Sequence, residues 1–565
     1  MLSIVRRPIV EQSMHALQSA GIPPMLARIY AARGIATGNQ VDYLLSAMLP
    51  VGQLKNIEAM AGFLADAISA RRRMLIVADY DADGATACAV GIRGLRALGA
   101  DVDYLVPNRF EYGYGLTPEV VRLAVATKSP HLIITVDNGI ASLDGVDEAA
   151  RLGVDVLVTD HHLPGAELPS ARCIVNPNQP GCEFPSKHLA GVGVMFYVLA
   201  ALRAELRRRN VFAASKEPNL AHLLDLVALG TVADVVPLDT NNRIIVHHGL
   251  KRIREGRAHV GLQALYRVAG RDPRRASAYD LGFMLGPRLN AAGRLTDMTL
   301  GIECLITDDA VRADEIAREL DGLNRERREI ETTMQADALD GLEGIDVGAR
   351  YSLALFQESW HQGVVGILAS RLKDRFHRPT IAFARGSDGL LKGSGRSIRG
   401  LHLRDALDLV AKRHPDLLHR FGGHAAAAGV TLAAASLDRF VAAFEVVCRE
   451  RMSPRDLARE IETDGPLQPE ELDLASARVL EQEVWGQGFA PPLFDGEFDM
   501  TDQRIMAGKH SRLTLTCGHR SVEAVLFGYV DPLPPRVRAI YRLGVNEYGS
   551  TTRLQVVIEH WEKAS

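Results

Sequence analysis

Acidic and histidine side chains recur in this chain directly after short apolar runs, and both types bind divalent cations. They lie in the segments DYDADG (79–84), VDNG (136–139), TDHH (159–162), TVADVV (231–236) and GGHAAAAG (422–429). Carboxylates and neutral imidazoles together suit a pair of divalent metal ions, and such pairs mostly activate water against a phosphate ester. The residues alone therefore predict a metal-dependent phosphoesterase.

The DYDADG segment carries the densest charge. Side chains two residues apart share a face of a strand, so its carboxylates can point the same way, and Gly84 permits a tight turn into the next helix. A calcium-binding EF-hand loop would need a glutamate six residues after that glycine, where this chain has Val90. An acidic surface turn, or capping histidines in TDHH, explains each segment singly, but the shared position after apolar runs favours one common site.

From Met74 onwards, short apolar or β-branched runs alternate with amphipathic helical stretches. The runs predict strands at 74–78, 102–106, 131–136, 154–159 and 173–175. Alternation of strand and helix predicts an α/β fold with a doubly wound parallel sheet, which binds ligands beyond the carboxyl ends of its strands. The side chains that follow those ends are Asp79, Asp81, Asp83, Asp137, Asp160, His161 and His162.

The length of 565 residues exceeds what one hydrophobic core supports, so we expect several domains. The pattern predicts a helical N-terminal lead-in (1–50), a catalytic α/β domain (51–304), a connecting helix (305–345), a second, smaller α/β domain (346–455) and a C-terminal β-barrel (456–565). From about Gly465 the tail reads as all-β, with strands such as SRLTLT, SVEAVLF and RLQVVIE.

The overall charge does not favour a nucleic-acid partner. The chain has 65 Lys and Arg against 69 Asp and Glu, a net charge of −4, so any nucleic-acid binding must use local patches. The six cysteines are scattered without a CxxC pair, which favours a reducing compartment, the cytoplasm by default, and disfavours zinc. We expect neither a signal peptide nor a membrane span.

The same segments carry a resemblance to a known family. DYDADG, VDNG, TDHH and ALGTVADVVPL, in this order, resemble the metal motifs of the DHH phosphoesterase superfamily. GPRLNAAGR, WHQGVVGILASRLKDRFHRPTIAF, GSGRS, GGHAAAAG and WGQGFAPPLF resemble its RecJ branch. The resemblance covers almost the whole chain. It implies a DHH catalytic domain, a DHH-associated substrate-binding domain and a terminal nucleic-acid-binding domain of the oligonucleotide-binding (OB) type.

The resemblance also implies an activity and a metal site. The activity is a single-strand-specific 5′ to 3′ DNA exonuclease that releases mononucleotides in recombinational and mismatch repair. The implied metal ligands are Asp81, Asp83, Asp137, His161 and Asp234, with Asp137 bridging two ions and His162 facing the scissile phosphate. Asp79 takes the place of a superfamily histidine, as a ligand or as a partner that orients Asp81, and Asp160 lies beside the ligands. Oxygen-rich ligation with one imidazole suits two Mn²⁺ ions, with Mg²⁺ as a substitute.

A second set of polar side chains is expected to bind substrate phosphate. It comprises Arg109, His162, Arg288, Asn290, Ser394, Arg396 and His424. Arginines and serines beside glycines can present guanidinium groups and backbone amides to phosphate oxygens. The alternative is that these glycines only permit close packing.

The implied partner is single-stranded DNA, with a single-strand-binding protein and a RecQ-type helicase beside it, and the chain is expected to be monomeric and free of membranes. Two other functions stay open. One is a pyrophosphatase or a phosphodiesterase for short oligonucleotides or cyclic dinucleotides, which the extra terminal domains disfavour. The other is a non-catalytic DNA-binding scaffold, which the intact set of ligands disfavours.

Overall fold

The computed structural model describes residues 2–212, 216–343, 345–548 and 551–564, without the side chains of Leu2, Arg109, Phe110 and Tyr548. The chain divides into two compact units. One comprises Met1–Val5 and Gly322–Ile461, and the other comprises Arg6–Asp321 and Glu462–Ser565.

The strands are β1 Leu2–Arg6, β2 Met74–Ala78, β3 Val102–Leu105, β4 Leu132–Val136, β5 Asp155–Thr159, β6 Cys173–Val175, β7 Leu353–Phe356, β8 Thr380–Arg385, β9 Leu391–Arg396, β10 Arg420–Gly423, β11 Ala427–Leu432, β12 Arg459–Thr463, β13 Phe494–Met506, β14 His510–Cys517, β15 Arg520–Phe527, β16 Arg536–Tyr548 and β17 Thr551–Lys563.

The α-helices are α1 Glu11–Ser19, α2 Pro24–Ala31, α3 Ile57–Ser69, α4 Ala82–Ala97, α5 Arg109–Tyr112, α6 Pro118–Lys128, α7 Leu143–Arg151, α8 Gly191–Arg208, α9 Leu224–Ala233, α10 Thr240–Arg254, α11 Val260–Val268, α12 Gly286–Leu295, α13 Thr299–Ile306, α14 Ala310–Asp340, α15 Val365–Phe376, α16 Leu403–Arg413, α17 Leu437–Arg451 and α18 Leu474–Gln482. A turn of π-helix, Asp280–Leu285, leads directly into α12.

The larger unit is built on a five-stranded sheet in the order β3-β2-β4-β5-β6, and every neighbouring pair is parallel. Every residue of β2 and β4 is buried because helices cover both faces of the sheet. Helices α4 and α8 pack on one face, and α6 and α7 pack on the other through apolar side chains. The five predicted strands and the doubly wound parallel sheet are confirmed.

The smaller unit holds a second five-stranded sheet, in the order β10-β11-β9-β8-β7. Its β7–β8 pair is parallel and the other pairs are antiparallel. Helix α15 and the C-terminal half of α14 cover one face, while α16 and α17 cover the other. Helix α14 has 31 residues, which corresponds to about 46 Å at 1.5 Å per residue.

The C-terminal strands form a closed barrel in the order β13-β14-β15-β17-β16. The strands predicted from SRLTLT, SVEAVLF and RLQVVIE lie in β14, β15 and β17. The prediction that the tail is all-β from about Gly465 is wrong for its first part, because residues 474–482 form α18. Asp473 caps that helix by accepting a hydrogen bond from the Ser476 amide, and Leu480 is buried.

The lead-in is not wholly helical as predicted, because the chain begins with strand β1. This strand forms a two-stranded sheet with β12. The partner of LSIVR lies more than 450 residues away along the chain. The strand is therefore defined by a non-local pairing that the local sequence pattern does not reveal.

The barrel segment and the N-terminal helices are joined within the larger unit by buried polar and aromatic contacts. Arg33 donates two hydrogen bonds to Asp464, with Nη1–Oδ1 and Nη2–Oδ2 distances of 2.5 and 2.9 Å. The Tyr30 ring packs on Trp485 and Phe489, which are stacked on each other. The domain boundaries themselves stay predictions. Among the helices that the structure describes, none combines the length and hydrophobicity needed to cross a bilayer.

Candidate active site

The first acidic side chains lie in the turn between β2 and α4. Asp81 is the N-cap of α4, and its Oδ1 accepts hydrogen bonds from the amides of Asp83 (2.9 Å) and Gly84 (3.0 Å). A Cβ on residue 84 would lie 2.4 Å from the carbonyl oxygen of Asp79, so only glycine fits there. The turn thus fixes three carboxylates at the carboxyl end of a central strand.

Asp83 is held from the opposite direction by the first turn of α8. Its carboxylate accepts hydrogen bonds from the amides of Gly191 (2.6 Å) and Val192 (2.9 Å). Amides at a helix N-terminus favour negative charge, so they partly offset the burial of this carboxylate. A Cβ on Gly191 would lie 2.6 Å from Cβ of Asp137, so the glycine also makes room for the next ligand.

Asp137 follows β4 with a left-handed backbone, at a φ of 62°. The side-chain amide of Asn138 donates hydrogen bonds to the carbonyls of Val77 and Val136, which ties this turn to two neighbouring strands. Strained backbone of this kind persists where its surroundings fix it, and it often accompanies functional sites.

The TDHH segment follows β5 and is braced by hydrogen bonds on both sides. Asp160 accepts hydrogen bonds from the amides of His161 (2.7 Å) and His162 (3.1 Å). Asn176 and Asn178, just after β6, donate their side-chain amides to the carbonyls of His162 (2.9 Å) and His161 (2.6 Å). Both histidines are therefore held by the backbone as well as by their rings.

Asp234 is the C-cap of α9, and it completes a cluster centred on the His161 ring. Nε2 of His161 lies 3.1 Å from Oδ1 of Asp137, 3.5 Å from Oδ2 of Asp234 and 3.9 Å from Oδ2 of Asp83. A second group, Asp79 with Asp81 and Asp137, also brings its ligand atoms within 4.8 Å of one another. Asp137 belongs to this group and also to a group with His161 and His162, and its role as a bridging ligand stays a prediction.

The buried atoms of this cluster fit a cation. Within the described part of the chain, Oδ1 of Asp137, Nε2 of His161 and Oδ2 of Asp234 are buried and have no hydrogen-bond partner. The 3.1 Å approach of the first two atoms is not aligned as a hydrogen bond. Buried lone pairs that face one another without a hydrogen-bond donor cost free energy, unless a metal ion binds them.

The acid–base properties of the cluster agree with this fit. Burial and the neighbouring carboxylates raise the pKa of Asp83 to about 7 and hold the pKa values of Asp137 and Asp234 well above the usual range. Burial lowers the pKa of His161 to about 4, which leaves it as the neutral imidazole that metals bind. Crowded carboxylates with a neutral imidazole need a positive charge between them, and a divalent cation supplies it.

His162 differs from His161. Burial opposes its charging, but the 2.8 Å hydrogen bond between its Nδ1 and Asp160 raises the pKa of His162 to about 9. Its side chain is 44% exposed, and the Tyr114 hydroxyl lies 3.3 Å from Nδ1. An imidazolium beside the ligands can stabilise charge on a phosphate or donate a proton.

The residues predicted to bind phosphate lie in different settings. Arg288 is buried and paired with Asp321 at 2.9 Å, and Oδ1 of Asn290 accepts a hydrogen bond from the Ala82 amide, so both brace neighbouring structure. In the smaller unit, Nη1 of Arg396 donates to Oγ of Ser394 at 3.2 Å.

The two remaining members of that set are His424 and Arg109. His424 is exposed in the β10–β11 hairpin. The side chain of Arg109 lies outside the described residues, as does that of Phe110. The phosphate-binding role of the whole set stays a prediction.

Several positioning residues escaped the sequence analysis. Asn176 and Asn178 follow β6 in the segment VNPN. Their position directly after a predicted strand is the feature that could have identified them. Gly191 lies in GVG at the start of an apolar helix. The first amides of a helix have no acceptor within the helix, so they can bind a carboxylate.

Family models match three parts of the chain. They are the "DHH family, N-terminal domain" over residues 73–231, the "DHHA1 domain" over 348–450 and the "RecJ OB domain" over 463–560. The three matches follow one another in the order in which the catalytic sheet, the second sheet and the barrel occur.

Full-length relatives extend this result. The single-stranded-DNA-specific exonuclease RecJ of Salmonella typhimurium is 48% identical over 554 residues, which cover 96% of each chain. The crystal structure of RecJ from Thermus thermophilus in complex with Mn²⁺ superposes with a TM-score of 0.84 at 30% identity, covering 100% of this chain and 80% of that one. The Mg²⁺ complex from the same organism gives 0.78 at 28% identity, covering 100% and 78%. With its metal-binding geometry and its near full-length similarity, this chain belongs to the RecJ family of single-stranded-DNA-specific exonucleases, within the DHH superfamily.

Proposed function

We propose that this protein is a divalent-metal-dependent exonuclease that degrades single-stranded DNA from its 5′ end and releases mononucleotides. The observation that carries the proposal is the convergence of buried, unpartnered ligand atoms from Asp137, His161 and Asp234 at the ends of three elements. Family membership supports the substrate, because the relatives are named for that activity.

The site residues divide the chemistry between them. When bound here, a pair of divalent cations would activate water and neutralise charge on the scissile phosphate. Asp81, Asp83, Asp137, His161 and Asp234 would hold the cations, with Asp79 as a further ligand or as a partner of Asp81. The Asp160 carboxylate keeps His162 protonated, so its imidazolium stabilises negative charge or gives a proton to the leaving 3′ oxygen.

We further propose that Ser394 and Arg396 bind a 5′-terminal phosphate. Arg396 is partly buried, and burial lowers the pKa of its guanidinium, while no carboxylate among the described residues offsets this. A Cβ on Gly366, in the first turn of α15, would lie 2.9 Å from Oγ of Ser394, so glycine lets this hydroxyl lie close to the helix N-terminus. A cation without a carboxylate, a hydroxyl and a helix N-terminus together suit a phosphate monoester.

Manganese is the proposed cofactor, with magnesium as a substitute, because oxygen ligands outnumber the single imidazole. All six cysteines are free thiols, which supports a reducing, cytoplasmic setting. Action in recombinational and mismatch repair, a RecQ-type helicase and a single-strand-binding protein as partners, and a monomeric state stay predictions from the family resemblance.

The test is digestion of one oligonucleotide labelled at its 3′ end, single-stranded or duplexed, with a 5′ phosphate, a 5′ hydroxyl or a blocked 5′ end. With Mn²⁺ we expect a shortening ladder from the single strand only, and none from the blocked end. Survival of the oligonucleotide together with hydrolysis of dinucleotides or pyrophosphate would move the substrate to small molecules and overturn the proposal.

Two variants separate the parts of the proposal. Asp137→Ala removes the bridging carboxylate, so hydrolysis should be lost while single-strand binding stays measurable. Arg396→Ala should reduce the preference for a 5′ phosphate over a 5′ hydroxyl, whereas Arg385→Ala, an arginine of the neighbouring strand that is paired with Glu358, should not. Equal preference ratios in these two arginine variants would place the terminal pocket elsewhere.

A further inference from the structure

Two aromatic side chains are stacked on each other at the surface of the larger unit. Tyr279 is 51% exposed and Phe283 is 63% exposed. Their ring centroids are 4.9 Å apart and their planes meet at 21°. Single exposed apolar residues are common, but an exposed, ordered pair of rings indicates a surface that binds something flat and apolar.

The pair is held rigidly by a buried polar group beneath it. Asp280 is 1% exposed and accepts hydrogen bonds from the amide and the hydroxyl of Ser277 at 2.9 and 2.8 Å. It also accepts a hydrogen bond from Nε of Arg271 at 2.7 Å. These contacts fix the π-helical turn that begins at Asp280, and such turns often lie at functional sites. A preformed platform loses little entropy when it binds a ligand.

The turn lies against the metal centre. A Cβ on Gly282 would lie 3.2 Å from Cγ1 of Val232, and one on Gly286 would lie 3.1 Å from Cβ of Ala233. Val232 and Ala233 are the last residues of α9, and the ligand Asp234 is its C-cap. The turn that carries the aromatic pair thus packs directly on the end of the helix whose C-cap is Asp234.

Two arginines lie near the rings, and each is paired with a carboxylate. Arg271 is 46% exposed and paired with Asp280, and Arg274, in the preceding 3₁₀ turn, is 82% exposed and paired with Asp272. Stacked aromatic rings with neighbouring arginines are how proteins hold single-stranded nucleic acid, with bases on the rings and phosphates near the cations.

We propose that Tyr279 and Phe283 form a stacking platform for a base of the single strand, next to the metal centre. The inference deepens the proposed function and rests on it, since it names how the single strand is held beside the hydrolytic site. Any base has a flat face, so the platform contributes affinity for single strands without sequence preference.

The experiment compares two ligands in metal-free buffer containing EDTA, so that no hydrolysis occurs. One is oligothymidylate, and the other is an abasic oligonucleotide of equal length with the same phosphates and no bases. For Phe283→Ala we expect the Kd for oligothymidylate to rise about 5- to 150-fold, the loss of one stacked base. The Kd for the abasic ligand should stay within the error of the wild type.

Conservative variants guard against misfolding. Phe283→Trp keeps a flat ring, so binding of oligothymidylate should be retained, and the added indole fluorescence should be quenched by the stacked base. Tyr279→Phe should likewise bind as the wild type does. An unchanged Kd in Phe283→Ala, or an equal loss for both ligands, would overturn the inference and would leave an apolar protein partner as the occupant of the platform.

The two proposals fail separately. A wild-type protein that digests no DNA but binds oligothymidylate through Phe283 would refute the exonuclease and leave the platform intact. Normal digestion with no difference between the two ligands would refute the platform and leave the exonuclease intact.

Discussion

Gly191 contacts no substrate, yet we expect it to control catalysis because it makes room for Asp137. In Gly191→Ala, the new Cβ would lie 2.6 Å from Cβ, 2.7 Å from Oδ1 and 2.9 Å from Cα of Asp137. Carbon atoms pack at about 3.5 to 4.0 Å, so the aspartate must shift by about 1 Å. A misplacement of about 1 Å in a reacting constellation costs roughly 100-fold in rate.

The assay is the initial rate of single-strand digestion at increasing Mn²⁺, with thermal melting alongside. We expect kcat to fall roughly 100-fold and the Mn²⁺ concentration for half-maximal rate to rise. Overpacking should destabilise the fold by about 1–3 kcal/mol, reduced by the helix preference for alanine of about 0.5–1 kcal/mol.

Gly193→Ala is the matched control, since it lies in the same turn of α8. Its new Cβ would meet only the flexible tip of Leu189, at 3.1 Å from Cδ2. This variant should retain nearly wild-type rates. Equal rates in the two alanine variants would refute the reasoning, because Asp137 would then tolerate displacement and could not be the bridging ligand.

Two further predictions concern the candidate metal site, and a third concerns the Arg6–Asp495 ion pair. Mn²⁺ at about 100 times its Kd should stabilise the wild type by about 2.7 kcal/mol. Asp137→Asn keeps the left-handed backbone, which asparagine tolerates, and removes one of the crowded carboxylates. Without metal this variant should therefore melt above the wild type, and it should gain little stability from Mn²⁺. Asn178→Ala and Asn178→Asp both remove the donor to the His161 carbonyl, so each should weaken metal affinity about 10- to 100-fold in a titration calorimeter; an unchanged Kd would contradict the bracing role. Burial raises the pKa of Asp495, but hydrogen bonds from Arg6, Thr463 and Arg538 together outweigh it and lower that pKa, so its stabilisation is complete above the unfolded value of about 3.9 and is lost as pH falls through the folded value. Asp495→Asn should therefore be less stable at neutral pH and show a shallower loss in acid, and parallel stability curves for the two proteins would disprove the coupling.

The catalytic half of the fold could be read from local sequence because its strands are buried on both faces. Runs such as MLIVA and LIITV consist of apolar or β-branched residues and are followed by acids, so this pattern located both the sheet and its functional edge. The residues that follow β2, β4 and β5 meet because parallel strands place those ends at one edge, and Asp234 joins them from the C-terminus of α9. The structure brings Asp81, Asp83, Asp137, His161 and Asp234 together, and their role as metal ligands stays a prediction.

Features set by distant contacts could not be read in this way. Strand β1 depends on a partner more than 450 residues away, and α18 lies in the tail that its strand-like segments predicted to be all-β. Asn178 resembles any loop asparagine until the His161 carbonyl is placed beside it. Arg288 stays a predicted phosphate ligand, and its pairing with Asp321 could not be read from the sequence.

The pairing of Arg33 with Asp464 has a consequence for the order in which the chain folds. The two residues are 431 positions apart, so at about 5 to 20 residues per second the ribosome adds the carboxylate roughly 20 to 90 s after the guanidinium. Throughout that interval the Tyr30 ring also lacks Trp485 and Phe489. Helix α2 is therefore synthesised long before the residues on which it packs, and nascent chains present an apolar surface there to chaperones and proteases.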